Sequence, residues 1–218
     1  MRSNKGMWKA IFAVVGVLAV LAVTAGADDW EFKVFEMTGE VAAPQAIDTV
    51  LRWDDGSIEG ALGPLQAGQF AVRFGGASNT SDALPFKVEA AQWAIAGVAS
   101  NAGLGFWNNP GNSPAFVVFP VTGASGVQTH FFDGPTVGAT PILAGFMGAG
   151  RQWGIAVDLD GTAFGRNFFG PVPGGSLPGG PTTMNQICSR TLDSQCNWIF
   201  RLGVDANIPV ELESFEID

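Results

Sequence analysis

The sequence predicts an all-β protein, an antiparallel β-sandwich or jelly roll built as one domain. Hydrophobic residues make up 47% of the chain and charged residues only 14%. Apolar and polar residues alternate in several short windows, whereas no window longer than about ten residues beyond the N-terminal segment keeps a helical period. Because one sheet cannot bury 17 Phe and 7 Trp, we expect two sheets packed face to face.

Period-two alternation predicts the strands in chain order. Most of these windows are expected to be half-buried, with the polar set facing solvent. The residues 86–95 shift phase near Ala90 and Ala91, which indicates a bulge. The residues 116–119 have no polar face and predict a strand covered on both sides. The apolar sets and their opposing polar residues are Trp30, Phe32 and Val34 against Glu31 and Lys33; Phe70, Val72 and Phe74 against Gln69 and Arg73; Trp153, Ile155, Val157 and Leu159 against Gln152 and Asp158; and Trp198, Phe200, Leu202 and Val204 against Asn197, Arg201 and Asp205.

Clusters of Gly, Pro, Asn and Asp separate these windows and predict turns. The longest cluster, residues 171–183, holds four Pro and four Gly. It is either a linker between domains or a long surface loop. Only 35 residues follow it, too few for a second domain, so we predict a Pro/Gly-rich surface loop within a single domain spanning residues 28–218.

The first 27 residues have the order of a secretory signal peptide: basic, then apolar, then small, ending Ala25-Gly26-Ala27. We expect cleavage after Ala27 and a secreted or cell-surface protein. The alternative is a retained membrane anchor, because residues 10–27 are uncharged over about the minimum length for a span. The leader contains three of the eleven basic residues and no acid. The acidic remainder argues against nucleic acid as a partner, and against a membrane unless the leader is retained.

Cys188 and Cys196 are the only cysteines. In an oxidising compartment an isolated pair eight positions apart usually closes, so we predict a disulfide across residues 189–195. A metal site is the weaker interpretation, because there is no second cysteine pair and the single histidine lies 58 positions upstream of Cys188.

Residues 51–59 have the sequence LRWDDGSIE, and residues 68–74 have the sequence GQFAVRF. These segments are similar to the W-D-D-G-x-x-E and G-x-F-A-V-R-F pattern of β-sandwich modules from secreted bacterial proteins. Residues 196–201, CNWIFR, are similar to a G-N-W-x-I-R strand near the end of such modules and depart from it at Cys196 and Phe200. The resemblance implies a jelly-roll-like fold with a binding, adhesive or accessory role, and it assigns no catalytic residue.

Two short acidic segments are candidate calcium sites. Asp54, Asp55 and Glu59 lie around Gly56, and Asp158 and Asp160 precede Gly161. Carboxylates beside a turn glycine suit a hard cation that prefers oxygen ligands. Neither segment contains a complete EF-hand loop. The alternative is that each is an ordinary Asp-Gly turn without an ion.

The loop around Trp107 is the candidate ligand site. Sugar-binding sandwiches stack exposed tryptophan rings on pyranose rings and hold hydroxyls with amides. Trp107 lies outside the alternating windows, and Asn108, Asn109 and Asn112 follow it in a Pro/Gly-containing loop. The alternative is that Trp107 is an aromatic plug at the end of the sandwich.

Catalytic arrangements are weak in this chain. His130, with Ser125 and Asp133 nearby, is the only possible base for a Ser-His-Asp triad, and no G-x-S-x-G elbow is present. We expect His130 instead to be a partly packed residue at a strand end beside Phe131 and Phe132. Glu211, Glu213 and Glu216 resemble the E-x-D-x-x-E strand of jelly-roll glucanases, with Glu in place of the middle Asp; the alternative is the solvent face of a last strand.

The sequence favours a secreted, non-catalytic β-sandwich that recognises a glycan or surface polymer and holds a possible structural calcium ion. The main alternative is self-association as a structural subunit of an extracellular filament or coat, which a low-charge, Gly-rich and Phe-rich surface would suit. A jelly-roll glycoside hydrolase is the minor alternative.

Overall fold

The structure, a computed structural model, describes residues 32–42, 49–64, 67–74, 85–138, 141–150, 152–160 and 166–205. The chain divides into two compact units, Met1–Trp30 and Glu31–Asp218, and the account below concerns the second. The predicted leader and the acidic residues Glu211, Glu213 and Glu216 lie outside the described residues, so both predictions stay open.

Strands account for most of the regular structure in the described part of the chain. Its elements are β1 (Phe32–Phe35), β2 (Gly39–Glu40), β3 (Thr49–Leu51), β4 (Ser57–Ile58), β5 (Gly60–Pro64), β6 (Gly68–Phe74), β7 (Phe86–Gly97), β8 (Ser100–Trp107), β9 (Phe116–Val118), β10 (Gly126–Phe131), β11 (Thr136–Val137), β12 (Ile142–Ala149), β13 (Trp153–Asp158), β14 (Asn167–Gly170), α1 (Pro181–Leu192), β15 (Asn197–Trp198) and β16 (Phe200–Asp205).

The strands form two large sheets. Sheet 1 has nine strands in the order β1-β5-β13-β7-β16-β3, with β10 and β11 paired to β7 and β15 paired to β13. Sheet 2 has five strands in the order β14-β6-β12-β8-β9, and β2 and β4 form a separate pair. Every pairing is antiparallel. The predicted all-β class is therefore confirmed.

Aromatic side chains from both sheets meet in one core. The Phe70 ring of β6 lies 5.7 Å from the Trp153 ring and 5.0 Å from the Trp198 ring, both edge to face. On β12, Phe146 stacks on Trp93 of β7 with ring centroids 5.6 Å apart. Since these pairs join residues of different sheets, the sheets pack face to face as a sandwich. The inward residues predicted on β6, β13, β15 and β16 are buried.

The polar faces of the predicted strands are less exposed than the alternation indicated. Gln69 of β6 is fully buried, because its amide donates to the carbonyl oxygens of Gly175 and Ser176 in the Pro/Gly-rich loop. Arg201 of β16 is fully buried under residues of the chain's first described segment, with Val41 accepting one of its hydrogen bonds. Covering segments on the outer sides of both sheets thus convert half-buried strands into buried ones.

Two strand predictions need correction. The sequence predicts that β9 is covered on both sides, but among the described strands it pairs only with β8, at the edge of sheet 2, and Val117 is exposed. Val34, predicted to face inward on β1, is also exposed. The bulge predicted on β7 is present: Ala90 pairs with Gly203 and Val88 with Val204, which leaves Glu89 as the extra residue.

The helix α1 was not predicted. It begins with Pro181 and ends at Leu192, and the following residue, Asp193, caps it in the left-handed conformation with φ 55°. Its apolar positions Met184, Ile187 and Cys188 are buried, but three such positions are too few to produce a clear helical period in the sequence. The last three residues of the predicted surface loop, 181–183, therefore belong to α1.

The predicted disulfide is confirmed. Cys188 of α1 is bonded to Cys196, with the two Cα atoms 5.9 Å apart, and both cysteines are buried. The bond joins the last turns of α1 to the start of β15. Among the described residues, no helix combines the length and the apolar character that a membrane span needs.

Candidate functional site

Two turns that are far apart in the sequence meet at one end of sheet 1. The first is the connection between β3 and β4, with the sequence Trp53-Asp54-Asp55-Gly56. The second begins at Asp158, the last residue of β13, and continues to Asp160. β13 pairs with β5, the strand that follows β4 almost directly. This pairing brings the two turns together across about a hundred residues of chain.

The carboxylates of Asp55, Asp158 and Asp160 form a cluster, with one oxygen from each lying within 4.8 Å of the others. Asp158 is buried, whereas Asp55 and Asp160 are exposed. The backbone amide of Asp55 donates to Asp158 Oδ2 over 3.0 Å. Asp55 Oδ1 accepts hydrogen bonds from the amide and the hydroxyl of Ser57, both over 2.7 Å. The bond between Asp55 and Asp158 joins the two turns, and the two bonds from Ser57 hold the Asp55 carboxylate within its own turn.

Neighbouring groups brace the second turn. The amide of Leu159 donates to Glu59 Oε2 over 2.8 Å, and the Leu159 carbonyl oxygen accepts a hydrogen bond from the Ser194 hydroxyl over 3.2 Å. Glu59 thereby brings a fourth carboxylate next to the cluster. The disulfide-linked segment after α1 lies beside the same turn through Ser194.

Repulsion between the carboxylates affects the pKa values within the cluster. The pKa of Asp160 is raised from its ordinary value of 3.8, first by repulsion from the Asp55 carboxylate, then by partial desolvation and repulsion from Glu59 and Asp158. The pKa of Asp55 is lowered, chiefly by its hydrogen bonds from Ser57. Asp55 is therefore readily ionised, whereas neighbouring carboxylates oppose the negative charge of Asp160.

Asp54 does not join the cluster. Both of its oxygens accept from the Arg201 guanidinium, at 3.0 and 3.1 Å from Nε, and both side chains are fully buried. Gly56 supports this arrangement because its φ of 111° is disfavoured for residues with a side chain. A Cβ there would lie 3.5 Å from an Arg201 terminal nitrogen. The carboxylates of Asp55, Asp158 and Asp160, from the two predicted calcium segments, therefore converge at one place, whereas Asp54, also predicted as a ligand, is paired with Arg201 instead.

The remaining arrangement suits a hard divalent cation. Calcium takes six to eight oxygen ligands, including carboxylates and backbone carbonyls, in flexible geometry. Asp55, Asp158 and Asp160 supply carboxylate oxygens at one point, and Glu59 lies next to them. A cation there would also reduce the mutual repulsion that raises the pKa of Asp160. Sequence analysis identified these four residues but could not show that they converge.

The expectation of an exposed Trp107 ring is wrong. Trp107 is fully buried, and its Nε1 donates to the Gly175 carbonyl oxygen over 3.0 Å. The Pro/Gly-rich loop covers the ring, since Leu177 of that loop packs in the same hydrophobic cluster as Trp107. Asn108, Asn109 and Asn112 are exposed, and the Asn109 side chain accepts from the Gly111 amide within its own turn. The alternative interpretation of Trp107, a plug that closes the sandwich, fits its burial.

Trp53 is the tryptophan that sequence analysis overlooked. Of the five tryptophans within the described residues, Trp93, Trp107, Trp153 and Trp198 are buried, while Trp53 remains partly exposed. The Arg166 guanidinium lies over its ring at 3.6 Å, and its Nε1 donates to the Arg73 carbonyl oxygen. Trp53 directly precedes Asp54 and Asp55. Its position before an acidic turn, and outside any alternating window, was the available signal.

The three residues considered for a Ser-His-Asp triad contact other residues instead. Ser125 Oγ donates to the Ile95 carbonyl oxygen over 3.3 Å, and Asp133 forms an ion pair with Lys87. His130 is half-buried near the end of β10, and its ring stacks on Phe132 with centroids 6.1 Å apart. The expected partly packed histidine at a strand end is therefore confirmed.

A shallow hollow of about 510 Å³ lies along the polar side of α1. The residues that line it all have polar side chains, with two hydroxyls, three amides and one guanidinium: Thr182, Asn185, Gln186, Ser189, Arg190 and Gln195. Gln195 is the neighbour of Ser194, whose hydroxyl is bonded to the Leu159 carbonyl oxygen. The hollow therefore adjoins the segment that braces the carboxylate cluster.

No protein-family model, curated protein or solved structure matches this chain.

Proposed function

We propose that the protein is an exported, non-catalytic β-sandwich module that recognises a glycan or surface polymer through a calcium ion bound by Asp55, Asp158 and Asp160. The observation that carries the proposal is the convergence of these three carboxylates within 4.8 Å. The export part rests on the basic, apolar and small-residue order of the first 27 residues.

The exposure of the cluster supports a role in recognition as well as in stability. Asp158 anchors the site from the buried end of β13, while Asp55 and Asp160 face solvent. Calcium needs more oxygen ligands than three carboxylates supply when each binds through one oxygen. A bound ion would therefore keep coordination positions on its solvent side, and a pair of sugar hydroxyls can fill them.

The surroundings of the cluster also suit a polyhydroxylated ligand. Trp53 offers a partly exposed aromatic ring one residue before the acidic pair, and aromatic rings stack on the apolar faces of sugars. The hollow along α1 is lined by side chains with amides and hydroxyls, which both donate and accept hydrogen bonds as sugar hydroxyls do. The acidic protein has a net charge of −9, which favours a neutral glycan over a polyanion.

The first test is calcium binding, measured by titration calorimetry of the metal-free secreted protein with CaCl₂. We expect one site. Asp160→Asn should weaken binding at least tenfold, because it removes a ligand that faces the other two carboxylates. Asp133→Asn is the matched control: it changes the net charge equally, but its carboxylate is exposed and pairs with Lys87. Wild-type protein that releases no heat with CaCl₂ and gains no thermal stability would refute the proposal.

The second test is glycan binding, measured on an array of bacterial and plant polysaccharides in CaCl₂ and again in EDTA. We expect binding that EDTA abolishes and that Trp53→Ala weakens. Calcium binding without any glycan signal would show a purely structural ion and overturn the recognition part. Glycan binding that persists in EDTA would separate recognition from the carboxylate cluster and overturn the calcium part.

A further inference from the structure

One long stretch of this chain is almost free of charge. Residues 90–150 contain a single Asp, Glu, Lys or Arg, namely Asp133. Seven large hydrophobic side chains are exposed among the described residues, and five of them lie in this stretch: Val98, Val117, Phe119, Val127 and Phe131. Uncharged sequence and exposed apolar side chains therefore coincide in one stretch of the chain, and such side chains mark an interaction surface where they lie next to one another.

Four of these five residues lie on or beside β9 and β10, which are edge strands within the part of the chain that the structure describes. β9 is the last strand of sheet 2. β10 pairs with β7, whose opposite side is taken by other strands, since Ala91 pairs with both His130 and Leu202. The Phe116 ring lies 6.4 Å from the Phe132 ring, so the two edges run along the same side of the sandwich.

The outer face of β10 is regular and apolar. Val127, Thr129 and Phe131 are exposed, while Gln128 and His130 between them are half-buried. Val127 is 40% exposed and Phe131 is 55% exposed. Edge strands of soluble proteins are usually protected by lysine, proline or a bulge. β10 has none of these: its register with β7 is unbroken over six residues, GVQTHF.

The charge distribution identifies the occupant of this edge. Two copies of a chain with net charge −9 repel each other over most of their surface. They can approach closely where the surface carries little charge: β9 and β10 themselves contain no charged residue, and Asp133, two residues beyond β10, is paired with Lys87. We propose that β10 pairs antiparallel with β10 of a second copy across a two-fold axis, so that sheet 1 continues from one copy into the other.

The two-fold axis fixes the register. Centred on Thr129, it places Val127 opposite Phe131 of the second copy, Thr129 opposite Thr129, and Gln128 opposite His130. Aromatic residues facing β-branched residues and threonine facing threonine are both favourable cross-strand pairs. The exposed residues of both copies then lie on one face of the extended sheet. Because each copy uses the same edge, the contact closes after two copies and forms no filament.

The first experiment measures molar mass by light scattering during gel filtration at several concentrations. We expect a dimer that dissociates on dilution. Val127→Lys should shift it to a monomer, because a charge would face the apolar ring of Phe131. The matched control is Val34→Lys, which places the same charge on an edge strand of the same sheet at a valine of similar exposure, 44%. The control should stay dimeric, and thermal melts should show both variants folded.

The second experiment tests the register. Thr129→Cys should give a disulfide-linked dimer on mild oxidation, because directly opposed residues of antiparallel strands have Cα atoms about 4.5–5.5 Å apart, within reach of a disulfide. Val127→Cys, on the same strand and face, should not cross-link, because Phe131 faces it. The double variant Val127→Lys with Phe131→Glu should recover the dimer, since each new ammonium faces a new carboxylate.

Three outcomes would overturn the proposal. Wild-type protein that is monomeric at every concentration rules out the second copy. Filaments in negative-stain micrographs rule out closure and favour the structural-subunit function instead. Equal cross-linking of Thr129→Cys and Val127→Cys rules out the register centred on Thr129. None of these results depends on calcium or glycan binding.

Discussion

Arg201 and Asp54 form an ion pair that is completely shielded from solvent, although they lie 147 residues apart in the sequence. Arg201 is on β16, in sheet 1, and Asp54 is in the turn that also presents Asp55 to the carboxylate cluster. Arg201 further donates to the carbonyl oxygen of Val41 and to Gln92 Oε1. The acidic turn is therefore tied to the sheet through one guanidinium.

Breaking this pair should be costly. Arg201→Met leaves the Asp54 carboxylate buried without its partner, and we expect a loss of about 3–5 kcal/mol in the free energy of unfolding. Urea denaturation measures it. Lys87→Met, which breaks the exposed pair with Asp133, is the control and should cost less than about 1 kcal/mol. Adding Asp54→Leu to Arg201→Met should restore part of the loss, because no unpaired charge remains.

The carboxylate cluster predicts a pH dependence of the metal-free protein. The pKa of Asp160 is raised in the folded state, so between 3.8 and the raised value the folded protein binds more protons than the unfolded chain. The contribution of Asp160 to stability is therefore more favourable at low pH and declines as the pH rises through the raised pKa. Asp55, with its lowered pKa, acts in the opposite sense: its contribution is present above 3.8 and is lost as the pH falls below that value.

Asp160→Asn isolates the first of these effects. In EDTA at neutral pH, we expect the variant to melt at a higher temperature than the wild type, because the repulsion from Asp55, Glu59 and Asp158 is gone. The difference should shrink as the pH falls towards 3.8, where the wild-type carboxyl becomes protonated. Calorimetric melts across this range measure it. A variant that is less stable than the wild type at pH 7 in EDTA would contradict the assignment.

The strand core was predictable, whereas its covering segments were not. Trp153, Ile155 and Val157 alternate with smaller or polar residues, and this local pattern alone indicates which side faces the other sheet. The burial of Gln69 and Arg201 depends on segments more than a hundred residues away, which follow no period. Similarly, each acidic turn was recognisable by itself, but only the pairing of β13 with β5 places Asp158 beside Asp55.

The disulfide should stabilise the segment that adjoins the cluster. Cys188 and Cys196 close a loop of about nine residues, for which chain entropy gives roughly 2–3 kcal/mol. Cys196→Ser should lower the melting temperature by several degrees, and reduction of the wild type should lower it similarly. A thiol assay on denatured, unreduced protein should detect no free thiol. Detection of two thiols per chain would show that the bond is absent in the secreted protein.

Substitution of Trp107 distinguishes between its two possible roles, a ring that stacks on a ligand and a residue of the core. Its ring packs with Ala71, Leu143, Met147, Phe168 and Leu177, and Gly105 leaves space for the ring, because a Cβ there would overlap it. Trp107→Ala should therefore cost about 3–5 kcal/mol of folding stability, measured by urea denaturation. Binding to any glycan should be unchanged in the folded fraction, because the ring has no solvent-facing surface. Asn108→Ala, one residue further along the chain at an exposed position, should leave stability nearly unchanged. A Trp107→Ala protein that keeps wild-type stability but loses glycan binding would restore the stacking role.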